Sequence, residues 1–220
     1  MKAVILLLGM MAVMSPKVWA FGSARSSSGS GTTSGSTTNT TVEFNAPDAD
    51  VGTGGLRIAI QSAKNFNSTQ LQHLEKSRAL LEQIVNTEEF KQRVLHFTYQ
   101  GQETYVQNQG LTNLQIYNLI MRAAEQLPQK TAINQTMDLS VQLYTSSWFG
   151  RNVVGYTTAS TSTIYMNTYF YNSASPGDSA ANMIHEWLHK LGFEHDYNST
   201  TRRPYSVPYA IGNIVSEMAN

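Results

Sequence analysis

Cysteine is absent from the 220 residues of this chain. Its absence excludes disulfide bonds, thiolate zinc sites and cysteine nucleophiles. Charge is also scarce, since charged residues make up 14% of the chain and 15 basic side chains balance 15 acidic ones. A net charge of zero gives no general attraction to nucleic acid, so no nucleic-acid partner is expected. The groups left for catalysis are five histidines, the carboxylates and the hydroxyls.

The apolar run near the N terminus is too short to span a membrane. Ala3 to Met14 comprises twelve apolar or glycine residues, whereas a transmembrane helix needs about 20. A basic start at Lys2, this run, and small residues before a cleavage point at Ala20 are typical of a secretory signal peptide. We expect removal of residues 1–20, which predicts a secreted or periplasmic protein with no stable membrane span. The alternative is an uncleaved N-terminal anchor.

Residues 21–42 are predicted to form a flexible linker. From Gly22 to Thr41 nearly every residue is serine, threonine or glycine. Such a segment has no apolar periodicity and cannot bury enough surface to offset its ordering entropy. A single folded domain is therefore expected over residues 43–220.

Helical patterns fill the first half of this domain. After a strand at residues 56–60, Asn67 is predicted to cap a helix, and residues 88–96 to form a second short helix or its continuation. Thr112 is predicted to cap a further helix. The apolar face expected for that helix consists of Leu114, Tyr117, Met121 and Ala124.

Strand patterns dominate the next part of the domain. Residues 139–144 and 163–171 alternate between apolar and polar side chains, and residues 152–157 offer a further strand. A helix is then predicted from Asp178 or Ser179 through Leu191. The residues expected to face the core are Ile184, Trp187, Leu188 and Leu191. The order of strand, helices, several strands and helix is typical of an α+β fold.

Two histidines and a glutamate give the strongest chemical signal. His185 and His189 are four residues apart, so on a helix they project from one face, one turn apart. Two imidazoles at this spacing can bind one zinc ion at about 2.0–2.1 Å. Glu186 follows the first histidine and can reach a metal-bound water without being a ligand. The pattern therefore predicts two zinc ligands and a catalytic carboxylate.

A third histidine requires the chain to turn back. His195 lies ten residues after His185. On a continuing helix it would point about 280° around the axis and lie too far along to share the metal. Gly192 can adopt the left-handed conformation that ends helices, which would return His195 to the other two histidines. Three histidines with an open fourth position are typical of catalytic zinc.

The segment from His185 to His195 resembles the extended signature of the metzincin metallopeptidases, His-Glu-x-x-His-x-x-Gly-x-x-His, and Asp196 resembles the reprolysin-type members. The resemblance implies His185, His189 and His195 as zinc ligands and Glu186 as general base. It also implies a zincin-like metallopeptidase domain of α+β class. This domain would have a mixed, mostly parallel sheet packed on helices, an active-site helix, a cleft below an edge strand and a small C-terminal subdomain.

The turn expected beneath the zinc departs from the family pattern. Metzincins carry a methionine there, but the one methionine after the motif is Met218, whose apolar spacing predicts a terminal helix. Either the turn is the methionine-free segment 205–209, or Met218 serves in an unusual way. In some metzincins a tyrosine after the turn assists catalysis, which makes Tyr209, or else Tyr205, a candidate catalytic residue. The alternative is a tyrosine that only packs.

Peptide-bond hydrolysis is the activity that the resemblance implies. A zinc-bound water activated by Glu186 would attack a carbonyl of a peptide or protein substrate. The strand at residues 163–171 is expected to be the edge strand that pairs with this substrate. Three interpretations stay open: a general exported zinc endopeptidase, a peptidase for one dedicated partner, and a zinc-binding, non-hydrolytic surface or inhibitory module. The presence of Glu186 argues against the last.

Overall fold

The computed structural model of the chain describes residues 41–43, 55–125, 134–146, 153–157 and 161–220. The predicted signal peptide, residues 1–20, lies outside the described residues. Of the predicted linker, Thr41 and Val42 are described, and they form the beginning of a three-residue strand.

The described strands are β1 (Thr41–Glu43), β2 (Arg57–Lys64), β3 (Thr98–Tyr99), β4 (Gln102–Glu103), β5 (Thr136–Tyr144), β6 (Gly155–Thr157) and β7 (Thr163–Asn167). β3 and β4 form a small hairpin, and the others form one sheet in the order β1-β2-β5-β7-β6. The three inner strands run parallel, while β1 and β6 run antiparallel to their neighbours. A mixed, mostly parallel sheet combined with helices is consistent with the predicted α+β class.

The described helices are α1 (Ser68–Val85), α2 (Glu88–Leu95), α3 (Asn113–Met121), α4 (Thr168–Tyr171), α5 (Pro176–Leu188) and α6 (Val207–Met218). The caps predicted at Asn67 and Thr112 are confirmed, because each side chain accepts a hydrogen bond from a backbone N–H of the first turn. Thr87 caps α2 in the same way, so α2 is a separate helix. Within the described ranges, none of these helices has the length and apolar character needed to cross a lipid bilayer.

The core lies between the sheet and the helices, with α5 at its centre. Strand β5 alternates buried and half-buried side chains, and its buried side contributes Met137, Leu139, Val141 and Leu143. Helix α5 packs against α1 and α6 and borders β6 and β7. The apolar face predicted for α5 is confirmed, since Ile184, Trp187, Leu188 and Leu191 are all buried. The residues that bear chemistry therefore lie on a helix held from several sides.

The face predicted for α3 is confirmed only in part, since Tyr117 and Met121 pack against the core. Leu114, expected inside, is 54% exposed, whereas Ile116 and Ile120 are fully buried. The amide nitrogen of Asn113 donates hydrogen bonds to two backbone carbonyls at the C-terminal end of α2, at 2.9 and 3.0 Å. These bonds fix which side of α3 turns inward. Several apolar residues lie on both sides of this helix, so its periodicity alone allowed either choice.

The strand predicted at residues 163–171 is shorter than expected, and it is not an edge strand. β7 ends at Asn167, whose side-chain oxygen accepts a hydrogen bond from Tyr169 N (3.1 Å) and so begins α4. β7 also lies between β5 and β6. Among the described strands the edge on this side is β6, which runs antiparallel to β7. The alternation of apolar and polar residues continues past Asn167, but the capping hydrogen bond ends the strand.

Candidate metal centre

Helix α5 begins earlier than the sequence predicted. Its N-cap is Ser175, not Asp178 or Ser179. Ser175 Oγ accepts a hydrogen bond from Asp178 N (3.0 Å), and Asp178 Oδ2 accepts one from Ser175 N (3.2 Å). This reciprocal pair, followed by Pro176 at the first helical position, fixes the start of the helix. The helix then carries its histidine segment deep into the core.

The turn predicted at Gly192 is confirmed. After α5, the residues His189–Leu191 form a tighter 3-10 turn, and Gly192 has the left-handed value φ = 91°. Its N–H donates to the carbonyl of His189 (3.1 Å), and Phe193 N donates to Leu188 O (3.2 Å). Glycine adopts this conformation without steric cost, so the chain can reverse here. The reversal brings His195 back to the helix face that carries His185 and His189.

The three predicted histidines converge. His185 Nε2 and His195 Nε2 are 3.3 Å apart, and ligand atoms of His185, His189 and His195 all lie within 4.8 Å of one another. A tetrahedral ion bound at 2.0–2.1 Å separates its ligand nitrogens by about 3.3–3.4 Å. All three side chains are buried. The cluster can therefore hold a metal ion.

Backbone carbonyls orient the three imidazoles. His189 Nδ1 lies 2.7 Å from the carbonyl oxygen of Phe193, and His195 Nδ1 lies 3.1 Å from the carbonyl oxygen of the next residue. The backbone carbonyl of Pro208 acts on the ring of His185 and favours its protonated form. A ring that donates one N–H to a carbonyl presents its other nitrogen as an acceptor, which is the form that binds a metal. The ring orientations thus suit a shared ion.

Burial keeps these imidazoles neutral. Desolvation lowers the pKa of His185 well below its usual value. It also lowers the pKa of His189 to about 4 and that of His195 to about 4. The mutual repulsion that the three rings would feel if charged acts in the same direction. At neutral pH the cluster therefore offers unprotonated nitrogens to a cation.

A second face of the helical segment carries polar groups beside the histidines. Asn182, Glu186 and Lys190 are spaced at i, i+4 and i+8 and so form one row. The Asn182 amide lies directly below Gly155 of β6, where an added Cβ would come within 2.7 Å of Nδ2. At the other end of the row, the Lys190 ammonium donates a hydrogen bond to the carbonyl of Thr161, between β6 and β7. The edge strand therefore runs alongside Glu186.

The environment of Glu186 is almost dry. Its side chain is 2% exposed, and desolvation raises its pKa to about 8, while the Lys190 ammonium acts in the opposite direction. Desolvation likewise lowers the pKa of Lys190 to about 8, opposed by Glu186 and Glu125. A cation held by the histidines would also favour the Glu186 carboxylate. Without a bound cation, the protonated and ionised forms of the Glu186 side chain therefore differ little in free energy near neutral pH.

The two candidate tyrosines, Tyr209 and Tyr205, lie in different surroundings. The ring of Tyr209, in the first turn of α6, lies edge-on to His185 and His195 with centroids 4.7 and 4.8 Å away. Tyr205 is 40% exposed and packs on Tyr99, 5.0 Å away between ring centroids. Tyr209 is therefore the tyrosine at the metal centre.

Met218 lies at the other end of α6. It is the last residue of this helix, nine residues after Tyr209, which corresponds to about 14 Å along the axis. The neighbouring Ala219 packs on Gly177 in the first turn of α5. The segment 205–209 beside the histidines contains no methionine.

Arg203 is a residue of the centre that the sequence did not single out. Its guanidinium carbon lies 4.7 Å above the ring centroid of Tyr209. Its positive charge lowers the pKa of both His185 and His195. Arg203 lies eight residues after His195, the last histidine of the motif. Its placement could not be predicted from the local sequence, because the turn between the two residues decides where the arginine side chain points.

A loop at residues 106–109, far from the motif in the sequence, also supports the segment that contains the three histidines. Val106 N donates to the carbonyl of Tyr205 (2.8 Å), and Gln107 Nε2 donates to Asp196 Oδ1 (3.0 Å). The side chain of Gln109 donates to the carbonyl of Gly192. Asp196 therefore fixes a loop through its side chain, while its carbonyl orients His195. No pattern in the sequence indicated this loop, because it lies more than 75 residues before the motif.

The two other histidines lie outside the cluster. His73 Nε2 pairs with Ser179 Oγ (2.9 Å). His96 is exposed and pairs with Glu103 (2.8 Å). Neither belongs to a metal-binding group within the part of the chain that the structure describes.

Comparison of the chain with protein-family models, with curated proteins and with solved structures gives no match. What can be said of the centre therefore follows from its own residues and geometry.

Proposed function

We propose that this chain is an exported zinc-dependent endopeptidase of metzincin type, with His185, His189 and His195 as zinc ligands and Glu186 as catalytic acid-base residue. The observation that carries the proposal is the convergence of three buried, neutral imidazoles next to a buried carboxylate. The mostly parallel sheet, the antiparallel edge strand β6 and the helix α5 beneath it also support a zincin-like fold.

Zinc is the ion that best fits this donor set. The cluster offers imidazole nitrogens only, and the 3.3 Å separation of two of them suits tetrahedral coordination. Magnesium and calcium prefer oxygen ligands. Three protein ligands also leave a fourth position open, as in catalytic zinc sites. When bound, zinc would supply Lewis-acid chemistry that activates water and polarises a carbonyl group.

Glu186 is suited to move a proton in both directions. Burial raises its pKa to about 8 when no cation is bound, and a cation held by the histidines would favour the carboxylate form that accepts a proton. In the proposed reaction it accepts a proton from the attacking water and delivers it to the leaving amine. Its position next to His185 places it beside the metal without making it one of the converging nitrogen ligands. The dry surroundings strengthen its electrostatic interactions.

The edge strand β6 replaces residues 163–171 as the proposed substrate-binding strand. Its outer edge has no neighbouring strand among the described residues. An extended peptide can pair with such an edge through main-chain hydrogen bonds. Gly155 of β6 lies against Asn182, and Lys190 donates to Thr161 in the loop after β6, so a peptide on this edge would pass near Glu186.

Tyr209 is the proposed group that stabilises the oxyanion. Replacing Tyr209 with phenylalanine is expected to lower kcat about 10–100-fold without changing zinc affinity, since the ring contacts with His185 and His195 remain. Steady-state kinetics with zinc titration would measure both. Tyr205→Phe is the matched control, because that side chain is half-exposed and lies against Tyr99. Equal activity of the two variants would leave Tyr209 a packing residue.

Export is proposed from the first 20 residues, which have the pattern of a signal peptide. The mature chain would then begin near residue 21, with its serine-rich and threonine-rich segment preceding the catalytic domain.

The test is hydrolysis of an unfolded protein by the zinc-loaded chain of residues 21–220. Cleavage is expected with one zinc per chain, to stop on addition of a chelator, and to return when stoichiometric zinc is restored. Mass spectrometry of the fragments would identify the bonds cut. One bound zinc without cleavage of a broad substrate panel would reject a general peptidase and favour the dedicated or non-hydrolytic interpretation. Absence of zinc binding would reject the proposal altogether.

A further inference from the structure

A small cavity lies between the sheet and the first half of α5. Its volume is about 60 Å³, and it is lined by residues of β7, α4, α5, the turn between the two helices, and Val154 just before β6. Most of the lining is apolar, including Val154, Met166, Phe170 and Ala181. A water molecule needs about 10–15 Å³ on this measure, so the cavity has room for more than a single water. It is large enough for a small side chain.

Asn182 is one of the residues that line this cavity, and its amide has no hydrogen-bond partner. The side chain is 2% exposed, and neither Nδ2 nor Oδ1 has a hydrogen-bond partner. The other polar side chains of the lining are occupied: those of Tyr171, Ser173, Asp178 and Ser179 bond to Gln70 O, Phe170 O, Ser175 and His73. Burying an amide with both groups unpaired is costly. A ligand that supplies an acceptor and a donor would remove that cost.

Asn113, a second buried asparagine of the chain, differs from Asn182 because its amide has a structural role. Asn113 is 5% exposed, and its Nδ2 donates to the carbonyls of Leu95 and Phe97. These bonds join α3 to the end of α2. Asn182 makes no bond of this kind, so holding the fold together does not account for it.

The position of Asn182 connects the cavity with the proposed catalytic centre. At about 100° per residue, Asn182 lies between the directions of His185 and Glu186 around the helix axis, about one turn toward the N terminus. Gly155, whose missing Cβ leaves room for the amide, belongs to the edge strand. A peptide paired with β6 would project alternate side chains on the face where Gly155 lacks one. One of these side chains would point at Asn182.

We propose that this cavity is a specificity pocket, in which Asn182 recognises the carboxamide of an asparagine or glutamine side chain of the substrate. The inference rests on the proposed peptidase function. A carboxamide offers a donor and an acceptor side by side, which matches the unpaired Oδ1 and Nδ2 of Asn182. The apolar walls accept the aliphatic part of the side chain and disfavour a charged one.

The first test is a cleavage profile of the zinc-loaded chain on a randomised peptide library, followed by paired peptides that differ only by asparagine or leucine at the selected position. The wild-type chain should prefer asparagine by at least about 10-fold in kcat/KM, because leucine leaves the amide unpaired. Asn182→Leu should abolish or invert this ratio. Asn113→Leu, the matched control, should keep the wild-type ratio. A profile without such a preference, or one unchanged in Asn182→Leu, would overturn the proposal.

Thermal unfolding gives a second readout. Asn182→Leu should raise Tm by about 3 °C, since an apolar group replaces an unpaired buried amide, whereas Asn113→Leu should lower it. A loss of stability in Asn182→Leu equal to that in Asn113→Leu would assign Asn182 a structural role and reject the pocket.

A binding measurement separates this inference from the peptidase proposal. Propionamide, added to the ¹⁵N-labelled zinc-loaded chain, should shift the side-chain amide resonances that are missing from the spectrum of Asn182→Leu. Such shifts without any peptide cleavage would retain the carboxamide pocket and reject the peptidase function. Cleavage without these shifts would retain the peptidase and reject the pocket.

Discussion

Replacing Glu186 with glutamine is expected to reduce peptide hydrolysis by about 10²–10⁴-fold while leaving zinc binding unchanged. Glutamine has nearly the same shape but cannot accept a proton from water. The substitution leaves in place the carbonyls of Phe193 and Asp196, which lie against Nδ1 of His189 and His195 and so orient those rings. Initial rates on a cleaved peptide and a zinc titration of the same preparation would measure the two effects.

Stability should not account for this loss. Glu186 is 2% exposed, and its burial disfavours the charged form. A neutral amide avoids that desolvation cost, and Lys190 keeps both its hydrogen bond to the Thr161 carbonyl and its attraction to Glu125. Tm of Glu186→Gln should therefore equal or exceed that of the wild-type chain. A rate loss that accompanies a lower Tm would point to misfolding instead of lost proton transfer.

Glu194→Gln is the matched control for Glu186→Gln. Glu194 lies in the same segment, but its carboxylate is half-exposed and 3.9 Å from His189 Nδ1, a nitrogen that already pairs with Phe193 O at 2.7 Å. Its replacement is expected to change the rate less than about 3-fold. Wild-type activity in Glu186→Gln, or equal losses in both variants, would contradict the assigned role of Glu186.

Replacing His195 with asparagine is expected to weaken zinc binding by more than about 100-fold. Loss of a group that only supports a ligand already costs about 10–100-fold, and His195 is proposed as a ligand itself. The wild-type chain should bind one zinc. Its Tm should rise by about 10 °C when free zinc is 1,000-fold above Kd, because binding to the native state alone adds about 4 kcal/mol to the free energy of unfolding. His195→Asn should lose most of this rise at the same zinc concentration, because zinc would then be at most about 10-fold above Kd.

His96→Asn is the matched control, because it removes a histidine that lies outside the proposed zinc site. His96 is exposed and pairs with Glu103, away from the three-histidine cluster. It should bind zinc like the wild-type chain and show the same rise in Tm. Competition with a chromophoric chelator would give the affinities. A full complement of tightly bound zinc in His195→Asn would show that the cluster uses a different third ligand.

The local chemistry of the motif was readable from the sequence because its parts are close together along the chain. The spacing of His185 and His189 follows from helix geometry, and Gly192 provides the left-handed turn that returns His195. The apolar face of α5 follows from the same periodicity. Each of these inferences depends on contacts within one helix and one turn.

Predictions of where an element ends, or which of its faces is buried, were less accurate. The alternation after residue 163 continues to Tyr171, yet the cap formed by Asn167 ends β7, and Tyr169 is 63% exposed. The exposure of Leu114, predicted to face inward from α3, has a similar cause, since Asn113 binds the end of α2 and so turns this side chain outward. In both cases a hydrogen bond made by one asparagine outweighed the hydrophobic pattern.

The sequence by itself determined the three histidines, the carboxylate beside them and the turn that joins them, because helix periodicity and glycine conformation are local properties. The tertiary structure decided which strand forms the edge, that Tyr209 and not Tyr205 lies against the histidines, and that Asn182 lies beneath Gly155. These features depend on strand pairing, on the packing of a helix against the sheet, and on the path of an irregular loop. Such pairing depends on the packing of the whole core, which no local pattern encodes.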